Sequence, residues 1–155
     1  MSITAKLKEL GHDLPTAPTP AANYVPWTRA GNLLTISGQV SRTPQGEMLG
    51  GTVGGAVSPE DGKKAAEVAA LNLIAQIAAA TEGEIGGIGR ILRLGVFVAS
   101  TPEFTGQSQV ANGASDLIAA VFGEAGRHAR SAVGVAALPG GASVEVEATV
   151  ELVLP

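Results

Sequence analysis

One arginine and a row of carboxylates near the end of the sequence have residue types that could do chemistry together. Arg130 precedes the stretch SAVGVAAL, in which every residue is small or apolar, and SVEVEATVEL follows with acids at 145, 147 and 151. A guanidinium can hold a carboxylate through two parallel hydrogen bonds. A glutamate can orient a water molecule and relay protons. What these groups do depends on the elements that position them.

Composition argues against several other kinds of site. Cysteine is absent, which removes disulfides, thiolate nucleophiles and cysteine metal sites. The two histidines of the sequence, His12 and His128, lie far apart along the chain, so no dedicated metal site is expected, although a site built from Asp and Glu residues stays open. The net charge is −4 and the 10 Lys and Arg residues are scattered, so no basic stripe is available for nucleic acid.

No segment predicts a membrane span or an export signal. The most apolar run, residues 65–80, contains polar residues and is shorter than the ~20 apolar residues that cross a bilayer. The first 20 residues lack a continuous apolar core and show helical spacing of their apolar residues instead. We therefore expect a cytoplasmic protein that has no membrane partner.

The length of the chain is typical of one domain. It has 155 residues, and neither an internal repeat nor a linker divides it. Residues 1–22 are expected to form a short amphipathic helix, which ends at Gly11, and a proline-rich arm on the surface. We expect a single domain over residues 1–155.

Hydrophobic periodicity predicts two long helices. Ser58-Pro59, followed by two acids, is typical of a helix start and predicts a helix from about 59 to 81. Its apolar stripe should lie on a sheet, with Asn72 among the residues on the opposite side. A second amphipathic helix is predicted over about 107–122. Alternating apolar residues predict two strands before that helix, over 32–40 and 89–100.

Two further strands are predicted at the end of the chain. SAVGVAAL and SVEVEATVELVL are separated by PGGA, a short connection that favours an antiparallel hairpin. Long helices among antiparallel strands indicate a two-layer α+β sandwich. In the last strand the valines must face the helices, which leaves the glutamates on a face that no helix covers. That face meets either water or another subunit.

Several motifs resemble those of the RidA family, also called YjgF and historically known as endoribonuclease L-PSP: NYVPWTRAGNLLTISGQV, LRLGVFVAS and ARSAVGVAALPGGASVEVEA. The resemblance runs from about Tyr24 to Leu152, and the variant NGASDLIAAVFGEAGRHARSAVG is similar to a bacterial subgroup. It implies a chorismate-mutase-like α+β fold with a mostly antiparallel sheet and two long helices on one face. It also implies a homotrimer with ligand clefts between subunits. For RidA itself it implies hydrolysis of 2-imino acids, or their enamine tautomers, to 2-keto acids and ammonia without a cofactor.

The resemblance implies roles for four residues. Arg130 matches the substrate-binding arginine of the family, and Glu145 matches an acidic residue that could orient water for attack on the C=N carbon. Tyr24 and Asn112 match residues that line the ligand cleft. Each also has a plainer explanation: an arginine in a surface or interface ion pair, one more acid on a polar face, a packing tyrosine and an exposed amide at a helix start.

The chain departs from the family pattern at two positions near Arg130. Ala132 stands where the well-studied deaminases commonly have a cysteine or a hydroxyl that helps to hold the water, and alanine can do neither. His128 is new by comparison. It could add a titratable donor near a bound carboxylate, or it could be a loop residue without a role.

These observations predict a small-molecule enzyme that hydrolyses 2-imino acids in a cleft between subunits. The alternative is a non-catalytic trimer that binds or senses a small carboxylate metabolite, such as a 2-keto acid. A ribonuclease is a third interpretation, suggested by the older family name. The acidic net charge and the lack of a paired-histidine site argue against it.

Overall fold

A five-stranded sheet with two long helices on one face makes up the fold, as described over residues 1–20 and 22–154 by a computed structural model. The predicted two-layer α+β arrangement is confirmed. The helices are α1 (Ile3–Glu9), α2 (Pro59–Ala80) and α3 (Gln107–Phe122). The strands are β1 (Trp27–Ala30), β2 (Leu33–Val40), β3 (Ile88–Ala99), β4 (Ala129–Val135) and β5 (Val144–Leu152).

The long helices begin and end where the sequence predicts. The Ser58 hydroxyl accepts a hydrogen bond from the Asp61 amide at 3.1 Å, and Pro59 occupies the first turn of α2. The apolar stripes of both helices are buried against the sheet in a core of alanine and aliphatic side chains. Among the described residues, no helix combines the length and apolarity needed to cross a bilayer.

The predicted hairpin between the last two strands is wrong. The strand order is β1-β2-β5-β3-β4, so β3 lies between β4 and β5, and β4 pairs with β3 in parallel. The PGGA segment and the residue after it form hydrogen bonds with the glycine-rich loop that follows β2, residues 41–57, instead of turning back on β4. The Gly51 amide donates to Gly141 O at 3.1 Å, and the Ser143 amide donates to Leu49 O at 3.0 Å. Because of these bonds, the chain crosses from β4 to the other side of β3, where β5 begins.

Alternation along β5 creates a sheet face that the helices do not cover, as predicted. The valines of β5 are buried, whereas the residues between them are half-buried on the other side. We call this surface the open face and define it by Glu145, Glu147, Thr149 and Glu151. On it, Glu147 forms an ion pair with Arg93 at 3.3 Å.

The periodicity of α2 predicts Asn72 on its polar side, and this prediction is wrong. Asn72 is buried in the core. Its side-chain amide donates to Val40 O at 3.0 Å and to Arg42 O at 2.9 Å. The chain leaves β2 at this point, and the Asn72 amide binds the backbone carbonyls of the last strand residue and of the residue two positions later. One turn later, the Gln76 amide donates to Pro18 O at 2.7 Å. These two amides tie α2 to the end of β2 and to the proline-rich arm.

A glycine lets the two long helices approach each other closely. Gly113 in α3 faces the backbone carbonyl of Lys63 in α2, and a Cβ atom at position 113 would overlap that oxygen. The position of α3 therefore depends on the absence of a side chain there. Asn112 precedes Gly113 in α3, so the same contact fixes how far the Asn112 side chain lies from the sheet.

We predict that Gly113→Ala lowers the free energy of unfolding by about 1 to 3 kcal/mol, because a backbone oxygen cannot move aside as a flexible side chain can. Alanine is otherwise the better helix former. Urea denaturation measures the change. The matched control is Gly86→Ala, since a Cβ atom at Gly86 would meet no atom within 4 Å. Equal stability of the two variants would contradict this explanation of the helix contact.

Candidate functional site

Arg130 lies on the edge strand β4 and is held by the side of α3. One guanidinium nitrogen, Nη1, donates to Asn112 Oδ1 at 2.8 Å and to Ser115 Oγ at 3.1 Å. The other, Nη2, donates to Ser108 O at 3.3 Å. Arg130 and Asn112, two of the four residues singled out in the sequence, are therefore in direct contact.

His128 joins the same group of side chains. Its Nε2 lies 2.8 Å from Ser115 Oγ, and its Nδ1 lies 2.7 Å from Gly126 O. Ser115 thus contacts both the imidazole and the guanidinium. We call Arg130, Asn112, Ser115 and His128 the arginine cluster.

The guanidinium keeps donors for a ligand. Its hydrogen bonds within the described residues occupy both Nη1 hydrogens and one Nη2 hydrogen. The Nε hydrogen and one Nη2 hydrogen have no partner among the described residues, and Nε and Nη2 are a pair of guanidinium nitrogens that can bind both oxygens of a carboxylate. In the part of the chain that the structure describes, no ion pair includes Arg130. Its positive charge therefore has no internal carboxylate partner there.

Glu145 and Tyr24, the other two residues singled out in the sequence, line a separate groove. It has a volume of about 590 Å³ and lies between the proline-rich arm and the end of β2. Tyr24 is 55% exposed. Gly38 makes room for the carboxylate, because a Cβ atom on it would lie 2.6 Å from Glu145 Oε1. We call this space the glutamate groove and define it by Tyr24, Ser37, Gly38, Gln39 and Glu145.

The surroundings of Glu145 favour its protonated form. Burial raises the pKa of the Glu145 carboxyl above its ordinary value, and the nearby negative charge of Glu147 raises it further. A carboxylate whose pKa is shifted toward neutrality is a better proton acceptor at physiological pH. Glu145 is therefore suited to exchange protons with a water molecule or a ligand.

The arginine cluster and the glutamate groove lie on opposite faces of the sheet. Arg130 pairs with Leu94, and Leu94 pairs with Ala148, so these three residues point to the helix side. Glu145 is an odd number of residues from Ala148 along β5 and points to the open face. One chain therefore does not bring the two groups into one site. A site that uses both must take them from two chains.

The sequence did not single out Ser115. Its spacing carried a signal, because residues 108, 112 and 115 recur at i, i+4 and i+7 and form a polar stripe along α3. Arg42 was also missed, although it lines the glutamate groove beside Glu145. Among residues 1–20 and 22–154, no cluster of three or more His, Cys, Asp or Glu residues could hold a metal ion.

The profile of the endoribonuclease L-PSP family matches residues 14–152. The chain belongs to this family, the RidA family of the sequence resemblance. It is 49% identical to the protein TCP17 of Trypanosoma cruzi over 151 residues, which cover 97% of this chain and 94% of that protein. It is similar to the crystal structure of Atu1372 from Agrobacterium tumefaciens, a protein of unknown function, with a TM-score of 0.89, 50% identity and coverage of 98% and 94% of the two chains.

The names of two further solved structures of this family indicate a relationship to RidA and a bound ligand. RidA from an Antarctic Psychrobacter has a TM-score of 0.61 and 28% identity, over 88% of this chain and 94% of that one. E. coli TdcF with bound serine has a TM-score of 0.63 and 25% identity, over 87% and 92% of the two chains. The endoribonuclease L-PSP family thus includes a protein that holds a small amino acid.

We predict that Glu145→Gln raises the melting temperature at about pH 7.5, because it removes a carboxyl group whose charged form is disfavoured in the folded chain. Since the pKa is raised in the folded chain, ionisation costs stability on folding, and this cost is present above the folded pKa. It disappears below the unfolded pKa of about 4.3, so the two proteins should melt alike at about pH 3.5. Thermal unfolding at both pH values measures the difference.

The exposed acid Glu103 supplies the matched control for this prediction. Glu103→Gln removes the same charge from a loop and should shift the melting temperature less at about pH 7.5 than Glu145→Gln does. A Glu145→Gln protein that is less stable than wild type at this pH would contradict the proposed effect of burial.

Proposed function

We propose that the protein is a homotrimeric hydrolase that converts 2-imino acids, or their enamine tautomers, to 2-keto acids and ammonia. The observation that carries the proposal is the Arg130 guanidinium, which α3 holds in place while its Nε hydrogen and one Nη2 hydrogen have no partner among the described residues. Membership of the family that contains RidA supports the reaction. The bound serine in TdcF supports a ligand of this size that bears a carboxylate.

Each ligand cleft would form where two chains meet. Arg130 and Asn112 would come from the arginine cluster of one chain, and Glu145 and Tyr24 from the glutamate groove of its neighbour. The positions of the two groups on opposite faces of the sheet support this division. A heterologous contact between different surfaces closes into a ring when the rotation allows it, and a ring of three would contain three such clefts.

Substrate binding would begin with the carboxylate. The Nε and Nη2 donors of Arg130 would bind its two oxygens, while Asn112 and Ser115 keep the guanidinium plane fixed. A fixed donor pair loses little conformational entropy when the ligand binds. The imine carbon, which is bonded directly to the carboxylate carbon, would then lie over the Glu145 side of the cleft.

Hydrolysis needs no cofactor, because a protonated imine is already electrophilic. Solvent would protonate the imine nitrogen, and Glu145 would accept a proton from water as the water oxygen bonds to the imine carbon. The proton would then pass from Glu145 to the amino group of this tetrahedral intermediate. Cleavage of the C–N bond releases ammonia, and loss of the hydroxyl proton gives the 2-keto acid.

The alanine at position 132 bears on the rate. Ala132 shares the helix-side face with Arg130, since it pairs with Val96 of β3. Its methyl group offers the water no hydrogen bond, so Glu145 would position the water without help from that residue. We therefore expect slower turnover than in relatives that have a hydroxyl or thiol there.

Kinetics with freshly generated 2-iminopropanoate test the reaction. Arg130→Ala should raise KM roughly 10- to 100-fold, because hydrogen bonds to a charged group are lost. Glu145→Gln should lower kcat about 100-fold or more, because an amide cannot accept the proton. It should still bind pyruvate in a titration, which separates loss of chemistry from loss of binding.

Arg127 provides the matched control for Arg130. Its side chain is 75% exposed and lies 3.8 Å from Glu124. Arg127→Ala removes the same charge three residues away and should leave both constants unchanged. A wild-type rate equal to that in buffer would overturn the proposed reaction. Full activity of Arg130→Ala would overturn the proposed role of this residue.

The oligomeric state is tested through the open face. Val133 pairs with Phe97, whose other partner is Glu145, and is 46% exposed. Val133→Glu would bury a charge if this face meets another subunit, so light scattering should show a trimer for wild type and single chains for the variant. Leu10→Glu, at the end of α1, should remain trimeric. A wild-type mass of one chain would contradict the proposal.

A further inference from the structure

With a neutral imidazole at His128, the hydrogen bonds of the arginine cluster have one consistent direction. Gly126 O can only accept, so Nδ1 of His128 carries a hydrogen and donates it over 2.7 Å. Arg130 Nη1 can only donate, so Ser115 Oγ accepts from it over 3.1 Å. Since Nδ1 carries the one hydrogen of the neutral imidazole, Nε2 is an acceptor, and the Ser115 hydroxyl hydrogen points at it over 2.8 Å. Donation runs from Arg130 through Ser115 and His128 to the backbone.

We propose that His128 is a positioning residue for Arg130 and acts through Ser115. By accepting the Ser115 hydrogen, the imidazole turns the lone pairs of that hydroxyl toward Nη1 and so fixes the guanidinium in the orientation that receives a carboxylate. This proposal rests on the proposed function, because it gives His128 a part in substrate binding. It adds two residues to the site, neither of which needs to touch the substrate.

The histidine is needed because a serine hydroxyl can rotate. Within a helix, a serine can instead donate to the backbone carbonyl four residues earlier, which for Ser115 is that of Ala111. The imidazole is itself fixed, since its Nδ1 is bound to Gly126 O in the turn before β4. Asn112 holds the other Nη1 hydrogen, so loss of the serine bond should loosen the guanidinium without releasing it.

Two substitutions of His128 separate its two hydrogen bonds. Glutamine places an amide group near the position of Nε2 and can still accept from Ser115. Asparagine places an amide group near the position of Nδ1 and can keep only the bond to Gly126 O. His128→Asn should therefore raise KM for 2-iminopropanoate about threefold to tenfold at nearly unchanged kcat, as expected for the loss of one hydrogen bond. His128→Gln should keep the wild-type KM.

The double variant tests whether His128 acts through Ser115. Ser115→Ala should raise KM about as much as His128→Asn, and adding His128→Asn to Ser115→Ala should cause no further change. Ser115→Thr keeps the hydroxyl and should stay near wild type. If these substitutions only disturbed folding, they would lower the fraction of active protein and therefore the apparent kcat. They would not produce the expected pattern of KM values.

Rotation of the Arg130 guanidinium about its Cζ–Nη1 bond, measured by nitrogen-15 NMR, supplies a readout that needs no substrate. Rotation should be faster in His128→Asn and Ser115→Ala than in wild type and His128→Gln. Unchanged rotation in His128→Asn, or an equal further effect of His128→Asn on KM in the Ser115→Ala background, would overturn the positioning role. If wild type lacks turnover but rotation follows the expected order, the proposed reaction is wrong and the positioning role stands.

Discussion

Neighbouring residues of a β-strand point to opposite faces of the sheet, and this alternation decides where the two chemical groups of the protein lie. In β5 the valines face the core, so the glutamates between them must face away from the helices. Arg130, two strands away, is on the helix side because it pairs with Leu94, a core residue. The chain therefore presents a cation on one face and a carboxylate on the other.

The helix layer determines how far Arg130 can reach. A guanidinium at the edge of a sheet would normally extend into solvent, but here the polar stripe of α3 binds it on one side. The close contact of Gly113 with α2 fixes the position of α3, and in this position the polar stripe can bind Arg130. Small residues therefore serve the site indirectly, since they allow the backbone approach that fixes a charged side chain. The same applies to Gly38, which leaves space for Glu145.

Most of the fold could be predicted from the sequence, because periodicity and capping are local signals. The bounds of α2 and α3 agree with the prediction to within one residue. The hairpin prediction was wrong because strand pairing is not local: PGGA is a good turn, but its hydrogen-bond partners lie in a loop some ninety residues earlier. Asn72 was misplaced because periodicity cannot show that its amide binds two backbone carbonyls at and just after the end of β2.

The site was less predictable than the fold for a related reason. The resemblance indicated Arg130, Glu145, Tyr24 and Asn112 as one cleft, whereas the structure of one chain separates them into two pairs. Alternation along the last strand placed Glu145 on the uncovered face, but the face of Arg130 depends on its register with β3, which no local signal shows. The polar stripe of α3 is the signal for Ser115 in the sequence, but its contacts with Arg130 and His128 are visible only in the structure.

The central claim, that each cleft combines Arg130 of one chain with Glu145 of another, is tested most directly by mixing two inactive variants. Arg130→Ala and Glu145→Gln chains would be unfolded together in equal amounts, refolded and assayed for hydrolysis of 2-iminopropanoate. In randomly assembled rings, about one cleft in four receives both intact residues, so about a quarter of the wild-type activity should return. No recovery from mixed trimers of correct mass would show that the two residues do not act in one site shared between chains.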